Sequence, residues 1–326
     1  MAEPHSLSII IVNWNSANLG RACLTKLYQR PLDLPVEIIV IDNASHDGCG
    51  EMIASGFPNV FFIQSEDNLG FSGANNFAFQ RSTGDLVLFL NPDTEIFDGA
   101  IERMVKVLME RPDAGIVGAK LLNSDGTVQT SCIQKFPSIL GIVLDSDLLR
   151  NWLPRWSLWG MQPLFAKGTA PIEVDAISGA CQMMRREVFE RAEMYSTKYF
   201  MYAEDVDLCF RMNRLGLRNF YVPEAVVTHH GGQSSNATAV SGWSAILMRE
   251  SWRRFFEQHR SRQYARLFQA AVALQAALRV TLISFVIPGA AILGRGNKLS
   301  LTREKWKSIL RWSLGLEQWV NSPGTN

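Results

Sequence analysis

Short apolar runs of strand length alternate with helical patterns through the first 122 residues, and this alternation narrows the available folds more than any other feature. Strand-like runs fall at Leu7–Val12, Val36–Ile41, Val60–Ile63, Leu86–Leu90 and Gly115–Leu121. A helix is expected from about Asn18 to Gln29, where Leu19, Cys23 and Leu27 recur four apart. A second is expected over Asp98–Glu110, with Asp98 as its N-cap, Ile101, Met104, Val105 and Leu108 on one face, and Pro112 as its stop. Apolar strands separated by helices predict an α/β fold with a mostly parallel sheet covered on both faces. Right-handed crossovers bring the C-terminal ends of those strands to one edge.

That edge is polar. The first strand runs into Asn13-Trp14-Asn15, the second into Asp42-Asn43-Ala44-Ser45 and the fourth into Asn91-Pro92-Asp93. One such end is an ordinary turn, because Asp bonds its own backbone and Pro presets φ. Three on one edge point to a ligand, since open α/β sheets bind in the crevice beyond their strand ends. Asp93 suits a hard divalent cation, which takes oxygen ligands and often only one or two carboxylates beside substrate phosphates. Asn91 stands where a second carboxylate is expected, so such an ion depends on its ligand. In "NLGFSGANN", Gly70 and Gly73 permit close backbone approach, and a helix start near Ser72 favours an anion.

The second half carries further candidates. Gly179–Ala192 and Tyr202–Leu215 read as helices, and Asn219–Thr228 as a strand ending at His229-His230-Gly231-Gly232. Glu204, Asp205 and Asp207 open the second helix, where negative charge offsets the dipole; the same carboxylates also suit a general base. Adjacent helical residues point about 100° apart, so Glu204 and Asp205 cannot share one task. Asp207 and Arg211, four apart, can pair. His229 can complete a metal shell. Pro137–Pro171, with Trp152, Trp156 and Trp159, has no clear period and reads as an insertion that covers a site or packs as a small aromatic subdomain.

Charge sharpens the division. From Arg249 onward there are 13 Lys+Arg against 4 Asp+Glu, whereas the preceding part has 19 against 27. An acidic body suits cation binding, and a basic tail suits phosphates or an anionic membrane surface. Nucleic acid is not an expected partner, for no binding motif accompanies the basic residues. Ala270–Leu293 is apolar but interrupted by Gln275, Arg279 and Pro288, which predicts a helix lying on a membrane rather than crossing it. Five scattered cysteines without metal spacing, and no secretory leader, fit a reducing compartment. No Gly-rich dinucleotide motif follows the first strand and there is no Walker lysine, which argues against a dehydrogenase or a P-loop NTPase.

Together "SIIIVNWN", "EIIVIDNASHDG", "NLGFSGANN", "GDLVLFLNPD", "SGACQMMRREVF", "YAEDVDLCFR" and "VPEAVVTHHGG" resemble the family 2 glycosyltransferases of GT-A fold, and more narrowly their bacterial rhamnosyltransferase-type branch. The resemblance spans about residues 6 to 235 in one order. It implies a GT-A-type mostly parallel sheet flanked by helices with a C-terminal helical extension. It divides the chain into a nucleotide-sugar-binding half (1–125), an acceptor-binding and catalytic half with the Trp-rich insertion (126–240) and a basic amphipathic helical extension (241–326). Asp42 is implied to contact the nucleotide base near Asn13 and Asn43, and Asn68, Gly70 and Asn76 to line the donor pocket. Asp93 matches the metal-binding Asp of the family's D-x-D motif, whose first Asp is Asn91 here. Asp205 matches the catalytic base and Glu204 its partner, and His229 a position that ligates Mg2+ or Mn2+, with His230 its competitor. The implied reaction is inverting, metal-dependent transfer from a nucleotide sugar, first of all dTDP-rhamnose, to a saccharide acceptor linked to polyprenyl diphosphate. The implied location is cytoplasmic, peripheral on the inner face of the membrane. A UDP-hexose or galactofuranose transferase of the same fold and a non-catalytic nucleotide-sugar-binding protein are the alternatives.

Overall fold

The computed structural model describes residues 5–29, 31–144, 168–231, 242–292 and 296–317, with short stretches at 149, 152–153, 156 and 164–165. Two compact units are present. The first comprises residues 1–136, 150–200 and 204–237; the second comprises 137–149, 201–203 and 238–326. About half of the Trp-rich segment Pro137–Pro171, Trp159 included, lies outside the described residues; Trp152 and Trp156 are described and exposed.

In the first unit the expected alternation is present. Strands β1 (Leu7–Asn13), β2 (Val36–Asp42), β3 (Val60–Gln64) and β4 (Leu86–Leu90) are joined by helices α1 (Ala17–Tyr28), α2 (Cys49–Gly56) and α3 (Gly70–Phe79). They run parallel in the order β3-β2-β1-β4, with Asn13 opposite Asp42. The short β5 (Thr94–Ile96), helix α4 (Ala100–Glu110) and β6 (Ala114–Leu122) follow. Helix α4 begins one residue later than its sequence signal: Gly99, at φ +72°, is the N-cap in place of Asp98, and no side chain caps the helix.

Beyond the small strands β7 (Ile133–Gln134), β8 (Ile172–Val174) and β9 (Ala176–Ile177), the chain departs from the sequence expectation. Gly179–Ala192 is not one helix. Its first half is strand β10 (Cys181–Arg185), and only Arg186–Arg191 is helical (α6), following the five-residue helix α5 (Ile139–Val143) in chain order. Strand β10 lies antiparallel between β4 and β6. Cys181, Gln182, Met183 and Met184 are all buried there, so both faces are packed and no polar alternation marks the strand. Helix α7 (Glu204–Arg214) and strand β11 (Arg218–His229) complete the unit. β11 runs parallel to β6, with a register break between Val222 and Val226 that accommodates Pro223, and antiparallel to β5.

The second unit holds α5 and three long helices: α8 (Gly242–His259), α9 (Arg262–Ile292) and α10 (Gly296–Ser313). Its interior is aromatic, with Phe256 against Phe268 and Phe268 against Trp312. Helix α9 continues through Gln275, Arg279 and Pro288, and Arg262–Gly289 is long and apolar enough to cross a membrane by length and composition. The polar groups of Gln275 and Arg279 turn inward. Gln275 donates to the Val143 carbonyl, and the Arg279 guanidinium stacks 4.4 Å from the centre of the Trp306 ring.

Candidate active site

Strand pairing assembles the first corner of the site. After β4 the backbone N–H of Asn91 donates to the Ala180 carbonyl (3.0 Å), and the Thr94 hydroxyl donates back to the Asn91 carbonyl (2.7 Å). β5 then pairs with β11 so that Thr94 faces His229, and the His230 N–H donates to the Asp93 carbonyl (2.9 Å). The Asp93 carboxylate is thereby held 3.3 Å from His229 Nε2, and the Asn91 amide lies 3.3 Å from the same nitrogen. Asp93 is only 6 % exposed. His230, the competing imidazole, is engaged elsewhere, with Nε2 on Glu95 (3.0 Å) and Nδ1 on the Ser124 hydroxyl (2.8 Å).

No group of three or more His, Cys, Asp or Glu side chains suited to a metal exists among the described residues. One carboxylate oxygen beside one imidazole nitrogen nevertheless fits a Mg2+- or Mn2+-type ion, which keeps waters and completes its shell on substrate phosphates.

The second corner lies at the ends of β1 and β2. Asp42 is buried and accepts hydrogen bonds from Asn13 Nδ2 (2.8 Å), Gln64 Nε2 (2.8 Å) and the Ser45 hydroxyl. Burial pulls its carboxyl upward, but those hydrogen bonds outweigh it and hold the group below the ordinary value. Asp47, which the sequence reading passed over, ties both neighbouring helices to this corner by accepting from the backbone N–H of Ala17 (2.8 Å) and of Cys49 (3.2 Å). Asn43 donates to the side chain of Asn68 (2.9 Å) and accepts from the Leu69 N–H (2.8 Å), and Asn68 accepts from the Gly70 N–H (3.0 Å). These amides shape the entry to α3, which starts at Gly70, two residues before the expected Ser72. Gly70 has φ +68°, and a Cβ there would sit 2.6 Å from the Phe200 carbonyl oxygen, so only glycine allows this approach. Asn76 spends both amide atoms on the main chain of Tyr195, at 2.8 and 3.1 Å, and so acts from behind the pocket.

The third corner is the start of α7. Asp205 Oδ2 accepts from the Gly179 N–H (2.9 Å) and Oδ1 from the Val206 N–H (2.8 Å). Gly179 adjoins Ala180, whose carbonyl holds Asn91. Asp205 is therefore tied to the strand end that carries Asn91 and Asp93. Burial raises its pKa, and the N–H donors oppose that rise. Glu204, 7 % exposed, has Oε2 buried with no hydrogen-bond partner; burial first, then the charge of Asp205, push its pKa up to about 8. Their surroundings thus separate the two carboxyls: Asp205 has donors for its anion, whereas Glu204 is stabilised as the neutral acid. Asp207 is structural. It accepts from Arg211 Nε (2.7 Å) and from the Tyr199 hydroxyl (3.0 Å), the ion pair expected from their spacing.

The Glu204 shift has a stability consequence. The folded protein retains a proton that the unfolded chain releases above about pH 4.5, so this group costs stability as pH rises from there towards about 8. Glu204→Gln removes that loss. Thermal unfolding across this window should show the variant gaining on the wild type as pH rises, and a constant gap between the two would refute the assignment.

The five cysteines are unpaired and buried, and burial pushes the thiols of Cys23, Cys49 and Cys181 up to about 12, so they are not nucleophiles.

The model of "Glycosyl transferase family 2" matches residues 8–192. This chain belongs to glycosyl transferase family 2. The enzyme is 30 % identical over 224 residues, 65 % of this chain and 72 % of the relative, to the N-acetylglucosaminyl-diphospho-decaprenol L-rhamnosyltransferase of Mycobacterium tuberculosis. It is 25 % identical over 170 residues, 49 % of this chain and 61 % of the relative, to rhamnosyltransferase WbbL of Escherichia coli. In fold, the glycosyltransferase resembles a mannosyltransferase from Pyrobaculum calidifontis solved with GDP-Man and Mn2+. The TM-score is 0.57 at 17 % identity, covering 97 % of this chain and 88 % of that one. GalNAc-T7 solved with UDP, GalNAc and Mn2+ gives a TM-score of 0.51 at 15 % identity, covering 70 % of this chain and 44 % of that one.

Proposed function

We propose that this glycosyltransferase moves L-rhamnose from dTDP-rhamnose, with inversion, onto a polyprenyl-diphosphate-linked saccharide at a membrane surface. One observation carries the chemical reading: Asp205, partly exposed and supplied with N–H donors, is tied through Gly179 and Ala180 to the strand end where Asp93 meets His229. The choice of rhamnose and of a lipid-linked acceptor is supported by the names of the mycobacterial and E. coli relatives.

In this reading the pocket of Asn13, Asp42, Asn43, Asn68 and Gly70 seats the nucleotide. Asp93 and His229 would hold a divalent cation, whose chemistry there is to neutralise negative charge on the diphosphate. Asp205 takes the proton from the acceptor hydroxyl as its oxygen bonds to the anomeric carbon. The bond from that carbon to the diphosphate breaks on the opposite side, and the nucleoside diphosphate leaves with the electron pair. Glu204, kept neutral, adds no second negative charge beside the base.

A donor screen reading nucleoside diphosphate release, with and without Mg2+ or Mn2+, tests the reading. Release is expected from dTDP-rhamnose, in the presence of metal and a lipid-linked acceptor. Preferential use of a UDP-hexose or UDP-galactofuranose would overturn the sugar assignment. Nucleotide binding without transfer from any donor would overturn the catalytic one.

The membrane surface is supported by α9. Leu267, Leu274, Leu278, Leu282 and Phe285 form one outer stripe, each between 56 % and 80 % exposed, and Arg262 and Arg266 open the same helix. Leu274→Glu with Leu278→Glu should abolish co-sedimentation with anionic vesicles, and high salt should weaken it. Wild-type protein that ignores vesicles at low salt would contradict this role.

A further inference from the structure

The chain from Asn123 to Gln129 turns back against β6, with Val128 bridging Leu122, and Gln129 lies beside the imidazole at the end of β11. Its hydrogen bonds have a direction that can be read from one end. The Asp125 carboxylate, as an anion, only accepts, and the Thr127 hydroxyl donates to it (2.6 Å). The Thr127 oxygen is then left to accept from Asn123 Nδ2 (2.9 Å). That turns the Asn123 carbonyl oxygen towards Gln129 Nε2 (3.1 Å), and leaves the Gln129 carbonyl oxygen 2.7 Å from His229 Nδ1. An amide oxygen accepts only, so Nδ1 of the neutral ring carries the hydrogen and Nε2 carries the lone pair. On the far side Nε2 meets a donor, Asn91 Nδ2, and an acceptor, Asp93 Oδ1, each at 3.3 Å, so that side fits either tautomer and the choice rests on Gln129.

We infer that Gln129 is a positioning residue that holds His229 in the Nδ1–H tautomer, so that Nε2 faces Asp93 as a ready cation ligand. The inference rests on the reading of Asp93 and His229 as a cation site. Without Gln129 nothing in this relay selects the tautomer, and a ring protonated at Nε2 would present a hydrogen to the ion. Partners of a metal-bound imidazole's second nitrogen commonly change metal affinity by about 10–100-fold when removed.

Two measurements test this without turnover. Nitrogen-15 NMR of the imidazoles, with His229 assigned by its loss in His229→Gln, reads the tautomer in the metal-free protein. Electron paramagnetic resonance of free Mn2+ reads ion affinity, alone and with dTDP. Wild type should show the Nδ1–H form and bind Mn2+. Gln129→Leu should mix the tautomers and weaken Mn2+ binding by about 10–100-fold. Gln129→Glu, which keeps an acceptor in place, should restore both. A wild-type ring protonated at Nε2, or a Gln129→Leu protein with unchanged tautomer and affinity, would overturn the inference while leaving the cation site standing. Should the leucine variant not fold, the wild-type tautomer and the glutamate variant still decide. Wild type that binds no Mn2+ under either condition would overturn the cation reading, and this role with it.

Discussion

Asp205→Asn should lower turnover by at least about a hundredfold while leaving nucleotide affinity near that of the wild type. The size follows from what the substitution removes. A positioned general base contributes about a hundred- to ten-thousandfold, and an amide cannot accept the acceptor's proton. Selectivity for turnover follows from the surroundings. Asp205 belongs to the corner built by Gly179 and Val206, whereas the nucleotide pocket is built at the ends of β1 and β2 and the start of α3. The amide is nearly isosteric, and its oxygen can still accept from one of those N–H groups. Turnover within a few-fold of wild type would remove Asp205 from the reaction. A parallel fall in nucleotide affinity would make it a binding residue instead.

The second large effect belongs to Asp93. Asp93→Ala should weaken dTDP binding measured calorimetrically with Mn2+ by about tenfold or more, and leave the metal-free affinity unchanged. Asp93 and His229 face each other, and no third metal-type ligand joins them among the described residues, so removing the carboxylate leaves a single imidazole of the pair. An ion held by so few protein groups depends on each of them. Equal affinity in the two proteins with Mn2+ would contradict the role. Loss of affinity without metal as well would mark Asp93 as a structural part of the pocket.

Which parts were legible in the sequence follows from where each signal resides. Strand ends are local events, and the apolar runs into Asn13, Asp42 and Asn91 announced both the parallel sheet and its polar edge. The Asp207–Arg211 pair was legible because helical spacing fixes it. Strand β10 was not: a central strand packed on both faces loses the alternation that distinguishes it from a helix, and "CQMMRREVF" satisfies either pattern. Gly179, Asp47 and Gln129 were also missed. Each acts through a partner distant in the chain, at separations of 26, 30 and 100 residues; the Asp47 contact arises only once β1 and β2 are side by side, and the other two only once β6, β10 and β11 are. The chain doubles back after β6 at "NSDGT", and nothing in that stretch indicates the imidazole beyond. Gln275 and Arg279 interrupt an apolar run as letters, whereas in the helix they turn away from its outer face, which the sequence alone does not indicate.

The most direct measurement is a crystal structure of the wild-type enzyme with Mn2+ and dTDP, locating the ion by its anomalous scattering. The ion should lie on the Asp93 carboxylate and His229 Nε2 with the diphosphate bound to it, and the Asp205 carboxylate should line the same cavity. An ion bound elsewhere, or an Asp205 walled off from the diphosphate, would contradict the account.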